Sequence, residues 1–440
     1  IMKIIIFIRH FNDFDNVLPI VDYLIRVKRQ KDVEIYGARE QGYQTSNKHL
    51  SYVLNILGKR VVSFTNTCLT KTDRILLRID NRVKKISQPN NKFLKFLFSI
   101  FNITITRFVN YLISGSVKRF VKNLPENTII MADFGNEAQF PYKYLIKYCH
   151  KRSITILSYL HGYSIFSNVD SYRQKSPMLN SRLNRIVQSF LFGKYSKDYY
   201  DKYLVGIQQR DTYMSSLNHD GFTAQSRVVE VGLPRYTREW IYRFIKKDSK
   251  FDNAPVLNVN KTDKFRKYKK NNGKNVILFL SNSKFNVNEK KLSETMHLLA
   301  SCENINLIIK MHTRGGTPEL IREVYSNFSQ YLCDYDSSEL IEWADIGLAY
   351  GTSMSIQMLV EGLTVVVPSY IDSNTTILED NKVCINALSL DFLRNFLLNY
   401  PSVKDLPNEE SINNFIKKFV YGDCDTYDDL MDKFTYFLDE

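Results

Sequence analysis

Asn275-Val-Ile-Leu-Phe-Leu280, running into Ser281-Asn282-Ser283, and Asn304-Ile-Asn-Leu-Ile-Ile-Lys310-Met311-His312 decide the reading of this chain. Both are short apolar runs that end in polar groups, the pattern of a parallel strand buried on both faces. After the second run comes Thr313-Arg314-Gly315-Gly316-Thr317-Pro318-Glu319. There Thr317 suits a helix N-cap, Pro318 the first helical position and Glu319 the first turn. A helix starting at this point turns its free N–H groups toward the strand's carboxyl edge, beside Lys310, His312 and Arg314, a setting suited to a phosphate. A third unit repeats the arrangement: Asp345-Ile-Gly-Leu-Ala-Tyr350 as strand, Gly351-Thr352-Ser353 as tight turn, Met354 to Val360 as helix ended by Gly362, and Thr364 to Pro368 as the next strand. In open α/β sheets ligands bind outside the carboxyl ends of the strands. Ser281, Ser283 and the turn at Gly351 are therefore expected on one binding edge.

The same alternation runs through the first half. Met2 to Ile8 reads as the first strand, and the loop Arg9 to Asp15 at its carboxyl end makes Arg9 and His10 candidates for substrate contact. Asn16 to Val27 is expected as a helix and Asp32 to Tyr36 as the second strand. Further on, Asn127 to Asp133 is a strand with Phe134-Gly135-Asn136-Glu137 at its end, and Ser153 to Leu160 is another, ending in His161-Gly162-Tyr163. Asp201 to Gly206 and Arg227 to Gly232 complete the set, with a helix from Gln208 to Leu217 between them. Asp170 to Gly193 reads as a polar loop over the cleft.

At 440 residues, 44% of them hydrophobic, the chain is long enough for two cores. The expected organisation is a first α/β domain over 1–236, a basic linker or insertion over 237–274, a second α/β domain over 275–425, and a C-terminal helix over 426–440. The net charge of +14 calls for anionic partners. No nucleic-acid-binding motif is present, so nucleic acid is not expected among them. Six scattered cysteines, without a Cys-x-x-Cys, read as reduced cytosolic thiols. The N-terminal apolar run is too short for a signal peptide. Between Lys92 and Leu124 apolar residues crowd together, but Lys95 and Arg107 interrupt them and argue against a membrane span. Two readings stay open: a pair of buried helices, or a basic amphipathic surface resting on anionic lipid. The expected location is the cytoplasm or the inner face of the cytoplasmic membrane.

The order strand, Lys310-x-His312, Gly-rich turn, helix, then Gly351-Thr352-Ser353, helix, Gly362 and an apolar strand resembles the C-terminal half of GT-B glycosyltransferases. It is most similar to the bacterial surface-polysaccharide group, which includes CDP-glycerol phosphotransferases and transferases that use CMP-activated sugars. The resemblance implies an α/β fold of two Rossmann-like domains facing across a cleft. It also implies that His312 and Ser353, with Thr352 and Ser355 nearby, hold the donor nucleotide and its phosphate, and that Gln357 stands where relatives often carry an acidic residue gripping the ribose. Thr313 replaces the proline of the group's His-Pro pair, and Thr364 replaces a proline before the last strand. His161-Gly162 is similar to the group's His-Gly element. That likeness makes His161 the candidate general base and Gly162 part of the acceptor side. Asp133 and Glu137, one strand away, can orient that base or act themselves. Gly232-Leu-Pro234-Arg235 resembles the element that borders the cleft near the domain junction, which places Arg235 among the acceptor contacts.

The function so implied is metal-independent transfer of a sugar, without a cofactor, from a nucleotide-activated donor to a hydroxyl of a growing bacterial surface glycan, free or lipid-linked. A cytidine nucleotide is the favoured donor. Two other readings accompany it: phosphotransfer from a CDP-polyol, as in teichoic acid synthesis, and a non-catalytic glycan or lipid-binding module with a degenerate donor site.

Overall fold

The computed structural model describes residues 2–9, 13–38, 48–85, 92–133, 140–159, 165–168, 200–208, 227–247, 265–281, 287–312, 315–400 and 406–438. Among them twelve strands form two sheets. The first holds β1 (Lys3–Ile8), β2 (Val33–Gly37), β3 (Val61–Ser63), β4 (Thr128–Asp133), β5 (Thr155–Tyr159), β6 (Lys202–Gly206) and β7 (Val228–Val231), in the order β3-β2-β1-β4-β5-β6-β7. The second holds β8 (Lys274–Phe279), β9 (Ile305–Lys310), β10 (Ile346–Ala349), β11 (Thr364–Pro368) and β12 (Ile385–Ala387), in the order β12-β11-β10-β8-β9. Every neighbouring pair is parallel.

The apolar runs explain this. β1 and β4 are buried almost throughout, which requires helices on both faces and hence parallel connections. The fold is α/β of the GT-B kind, two Rossmann-like domains, as the sequence implied. In each sheet the strand order reverses once beside the first strand of the domain. These switch points lie between β1 and β4 in the first sheet and between β8 and β10 in the second, and they are where such sheets bind ligands.

Helices differ from expectation in two places. The stretch read as a pair of helices is one continuous helix, Lys92–Lys122. No proline interrupts it. Among the described residues no helix is long and apolar enough to cross a membrane. The start of the basic segment read as a linker is also structured: residues 238–247 are helical, and Trp240 stacks on Phe244 with centroids 5.2 Å apart. Arg243 anchors this segment on the first domain, donating from Nη1 to Asp22 Oδ2 at 2.5 Å, while Tyr52 donates to the other Asp22 oxygen at 2.6 Å. Charged neighbours made the segment look like a solvated tether, yet its two large rings need cover. The expected helix from Gln208 and the loop Asp170 to Gly193 lie outside the described residues, apart from Gln208 itself.

The chain end packs on the first domain. Helix Tyr427–Thr435 sets Tyr427 against Tyr23, centroids 6.1 Å apart, and Asp432 pairs with Lys28 at 2.9 Å. Immediately before it, residues 420–422 run against the end of β7, where Leu233 N–H donates to Val420 O at 2.7 Å.

Candidate functional site

The donor-side turn is built at the switch point of the second sheet. β8 ends into Ser281 and β10 into Gly351, and the two strand ends are neighbours. Gly351 adopts φ +62°, and a Cβ there would come within 2.8 Å of Phe166, 3.2 Å of Ser281 Oγ and 3.6 Å of Asp372 Oδ2. Both the dihedral and the crowding call for glycine. Thr352 Oγ1 accepts from Met354 N–H at 3.3 Å and so starts the helix Met354–Val360. Ser353 makes no cap hydrogen bond with its side chain. Its hydroxyl instead accepts from Tyr236 Oη, across from the first domain, at 2.8 Å.

The second donor element follows β9. Thr317 caps the helix Pro318–Asn327, accepting from Leu320 N–H at 3.2 Å, with Pro318 at the first position, as the spacing predicts. Gly315, at φ +75°, donates its N–H to His312 O at 2.8 Å, which closes a tight turn and leaves His312 half-buried at the sheet edge.

Several expected ligand residues have partners within the protein. Lys310 donates its ammonium to the main-chain oxygens of Tyr335 at 2.7 Å and Cys333 at 3.4 Å, so its charge closes a loop. Ser355 is fully buried and donates to Thr352 O at 2.8 Å. Gln357 is buried too, its amide donating to Ser338 Oγ at 3.0 Å and Glu361 Oε1 at 2.7 Å. This short helix is covered on every side: positions 355 to 360 are all buried. Ser281 is nearly buried but lies against the Gly351 turn. Ser283 and Arg314 lie outside the described residues.

On the acceptor side, Arg9 and Asp133 follow or end β1 and β4, the two strands that flank the first sheet's switch point. Arg9 is half-buried. Asp133 is fully buried, and its main-chain oxygen accepts from Tyr200 Oη at 3.2 Å. His10, Glu137, His161 and Gly162 lie outside the described residues. Arg235 is held by Asp15 at 3.4 Å and lies 4.7 Å over the ring of Tyr236.

Sequence reasoning missed Tyr236, Asp15, His49 and Phe166. Asp15 joins two side chains: His49 Nε2 at 2.6 Å and Arg235 Nη2 at 3.4 Å. Burial raises its pKa, but the charge of Arg235 and then the charge and hydrogen bond of His49 outweigh burial and hold the carboxyl well below its usual range. Residues 165–168 cross to the second domain, where Ser167 N–H donates to Thr375 O at 3.0 Å and Ile377 N–H to Ile165 O at 2.8 Å. Phe166 then caps the Gly351 turn. Only the proximity of Asp15 to the first strand end was visible in the sequence. The other three residues carry no local motif.

A carboxylate held low stabilises the folded chain above the unfolded carboxyl value of roughly 4, and that contribution drains away as pH falls toward the folded value. Asp15→Asn is therefore expected to lower the urea midpoint at pH 7, by an amount corresponding to about 2 kcal/mol. The gap from wild type should begin to narrow below a pH of about 4 and close only as the pH approaches the lowered folded value. A gap independent of pH would show that the charge of Asp15 is not what matters.

No protein-family model matches the chain, and no curated protein matches it. Among solved structures it is similar to a glycosyltransferase from Rickettsia africae ESF-5, with TM-score 0.51 and 12% identity over 99% of this chain and 97% of that one. It is also similar to the UDP-GlcNAc 2-epimerase from Neisseria meningitidis bound to UDP-GlcNAc, with TM-score 0.50 and 12% identity over 94% of each chain. At such identity the likeness is one of fold, and it extends over both domains.

Proposed function

We propose that this protein transfers a sugar from a nucleotide-activated donor to a hydroxyl of a bacterial surface glycan, free or lipid-linked. The observation that carries the reading is the Gly351-Thr352-Ser353 turn. It stands at the switch point of the second sheet and touches the first domain through Tyr236. A donor phosphate bound at this turn would lie between the domains, with His312 at the next strand end but one and an acceptor approaching from β1 and β4.

In this mechanism a base of the first domain, His161 by resemblance, takes the proton of the acceptor hydroxyl. The hydroxyl oxygen forms the new glycosidic bond as the bond from sugar carbon to donor phosphate oxygen breaks. His312 and the hydrogen-bond donors of the Ser353 turn stabilise the charge that develops on the departing phosphate. Lys-x-His similarity favours a cytidine nucleotide. The UDP-GlcNAc held by the Neisseria epimerase makes uridine the competing class.

The test is a thermal-shift screen of CMP, CDP, UDP and GDP, followed by mass analysis of products from the matching donor with and without a glycan acceptor. One nucleotide at a hundred times its Kd should stabilise the chain by about 2.7 kcal/mol. Acceptor-dependent gain of a sugar mass supports transfer. Gain of a polyol phosphate replaces it with phosphotransfer, interconversion of the donor sugar without acceptor replaces it with epimerisation, and a flat response to all four nucleotides overturns the donor site.

A further inference from the structure

The helices Lys71–Lys85 and Lys92–Lys122 form an antiparallel pair on the first domain. Thr106 Oγ1 donates to Asp80 Oδ1 at 2.6 Å and Ser116 Oγ to Asp73 Oδ2 at 2.6 Å, which fixes direction and register. Those two aspartates are the only acidic residues of either helix, and both are buried in the seam between them. Against them stand twelve lysines and arginines, so these two helices carry a net +10 of the chain's +14.

The outer face of the pair is cationic and apolar at once. Phe101, Phe108 and Tyr111 are 57%, 62% and 69% exposed, and Leu112 is exposed beside them. The register sets Ile79 level with Phe108 and Ile75 level with Leu112, and both isoleucines are exposed as well. Lys71, Arg78, Arg82, Lys118, Arg119 and Lys122 are exposed around them. The longer helix passes the start of its neighbour Tyr142–His150, which runs the same way: Tyr148 donates to Ser114 at 3.5 Å, so Phe108 is level with Tyr142. Residues 92–107 therefore continue beyond the carboxyl ends of the strands, roughly 20 Å at 1.5 Å per residue. The aromatic end of the pair stands on the side of the molecule where the strand ends open.

We propose that this helix pair docks the protein on an anionic phospholipid bilayer. Six exposed apolar side chains ringed by cations, with every carboxylate of the pair turned inward, match an interface whose surface is negative and whose depth is hydrocarbon. A second copy of the same face would bring like charges together. Nucleic acid answers the charge but leaves Ile75, Ile79 and Leu112 without a use, because aliphatic side chains offer no stacking platform for bases. The inference is independent of the reaction proposed above, since its test needs no donor.

That test is co-sedimentation of the full chain with vesicles of phosphatidylcholine alone and of phosphatidylcholine with phosphatidylglycerol in equal parts. Binding to the anionic vesicles, weakened by salt and at least about tenfold above the neutral ones, is expected. The double variant Phe101→Ser with Phe108→Ser should lose at least about tenfold in partitioning, and the pair Arg78→Glu with Lys118→Glu should lose a similar factor, both with the wild-type melting temperature. As a reporter that keeps the surface intact, Phe108→Trp should shift its emission to the blue on anionic vesicles only. Equal binding to neutral vesicles, full binding by the double serine variant, or an unmoved tryptophan emission overturns the proposal. Binding of polyuridylate or self-association through this face, with no vesicle binding, overturns it in favour of those occupants.

Discussion

His312→Ala is expected to remove the rise in melting temperature that a sugar nucleotide gives the wild-type chain, and to slow transfer about 10²- to 10³-fold. His312 follows β9 in a turn closed by its own carbonyl and Gly315, so its backbone is fixed by a bond the substitution leaves in place. The turn itself should therefore survive the substitution, and the nucleotide-dependent rise is read against the variant's own melting temperature. Lys310→Met is the contrast. Its ammonium serves the carbonyls of Tyr335 and Cys333, so its loss should lower stability and leave nucleotide binding largely intact. Isothermal titration with the nucleotide from the screen, run on both variants, checks the pair. If Lys310→Met loses the nucleotide while His312→Ala keeps it, the donor phosphate sits elsewhere.

Gly232→Val is expected to destabilise the first domain by about 3 kcal/mol or more. A Cβ at Gly232 would overlap the carbonyl oxygen of Val420 and lie 2.7 Å from Gly422 N and from the carbonyl carbon of Tyr421. All of these are backbone atoms, and Leu233 N–H holds Val420 O at 2.7 Å, so no side chain can move aside. The C-terminal segment would have to leave the end of β7, taking with it the packing of Tyr427 on Tyr23. Gly58→Ala supplies the control: its φ is +63°, but nothing lies within 4 Å of the added carbon, so only dihedral strain of about 1 kcal/mol is expected. Urea midpoints for both variants, together with limited proteolysis to see whether the C-terminal segment is released first, read the outcome. Equal effects from the two substitutions would show that the Gly232 seam is not under the constraint described.

How much was legible depended on whether the signal was local. β1, β4, β8 and β9 were visible because a strand buried on both faces must be apolar along its length, and the helix after β9 because Thr317-Pro318-Glu319 is a cap written in consecutive residues. The turn at Gly351 was visible for the same reason. For Lys310 and Gln357, sequence order shows that they stand near a strand end but not which way each side chain faces. Lys310 turns to loop carbonyls, and Gln357 lies in a helix covered on every side. The aromatic run after Lys92 showed its composition but not that it forms a single helix, whose exposed face depends on what packs against the other side.

The alternation of strands and helices, the parallel sheets and the polar strand ends could be read from the residues alone, because they follow from burial period and from caps within a few positions. Only the tertiary structure decided that Tyr236 meets Ser353, that Asp15 joins His49 to Arg235, and that Phe166 covers Gly351. Each of these contacts joins residues far apart in the chain, between 34 and 220 positions. Such pairs are selected by the docking of whole layers, and no local propensity encodes them.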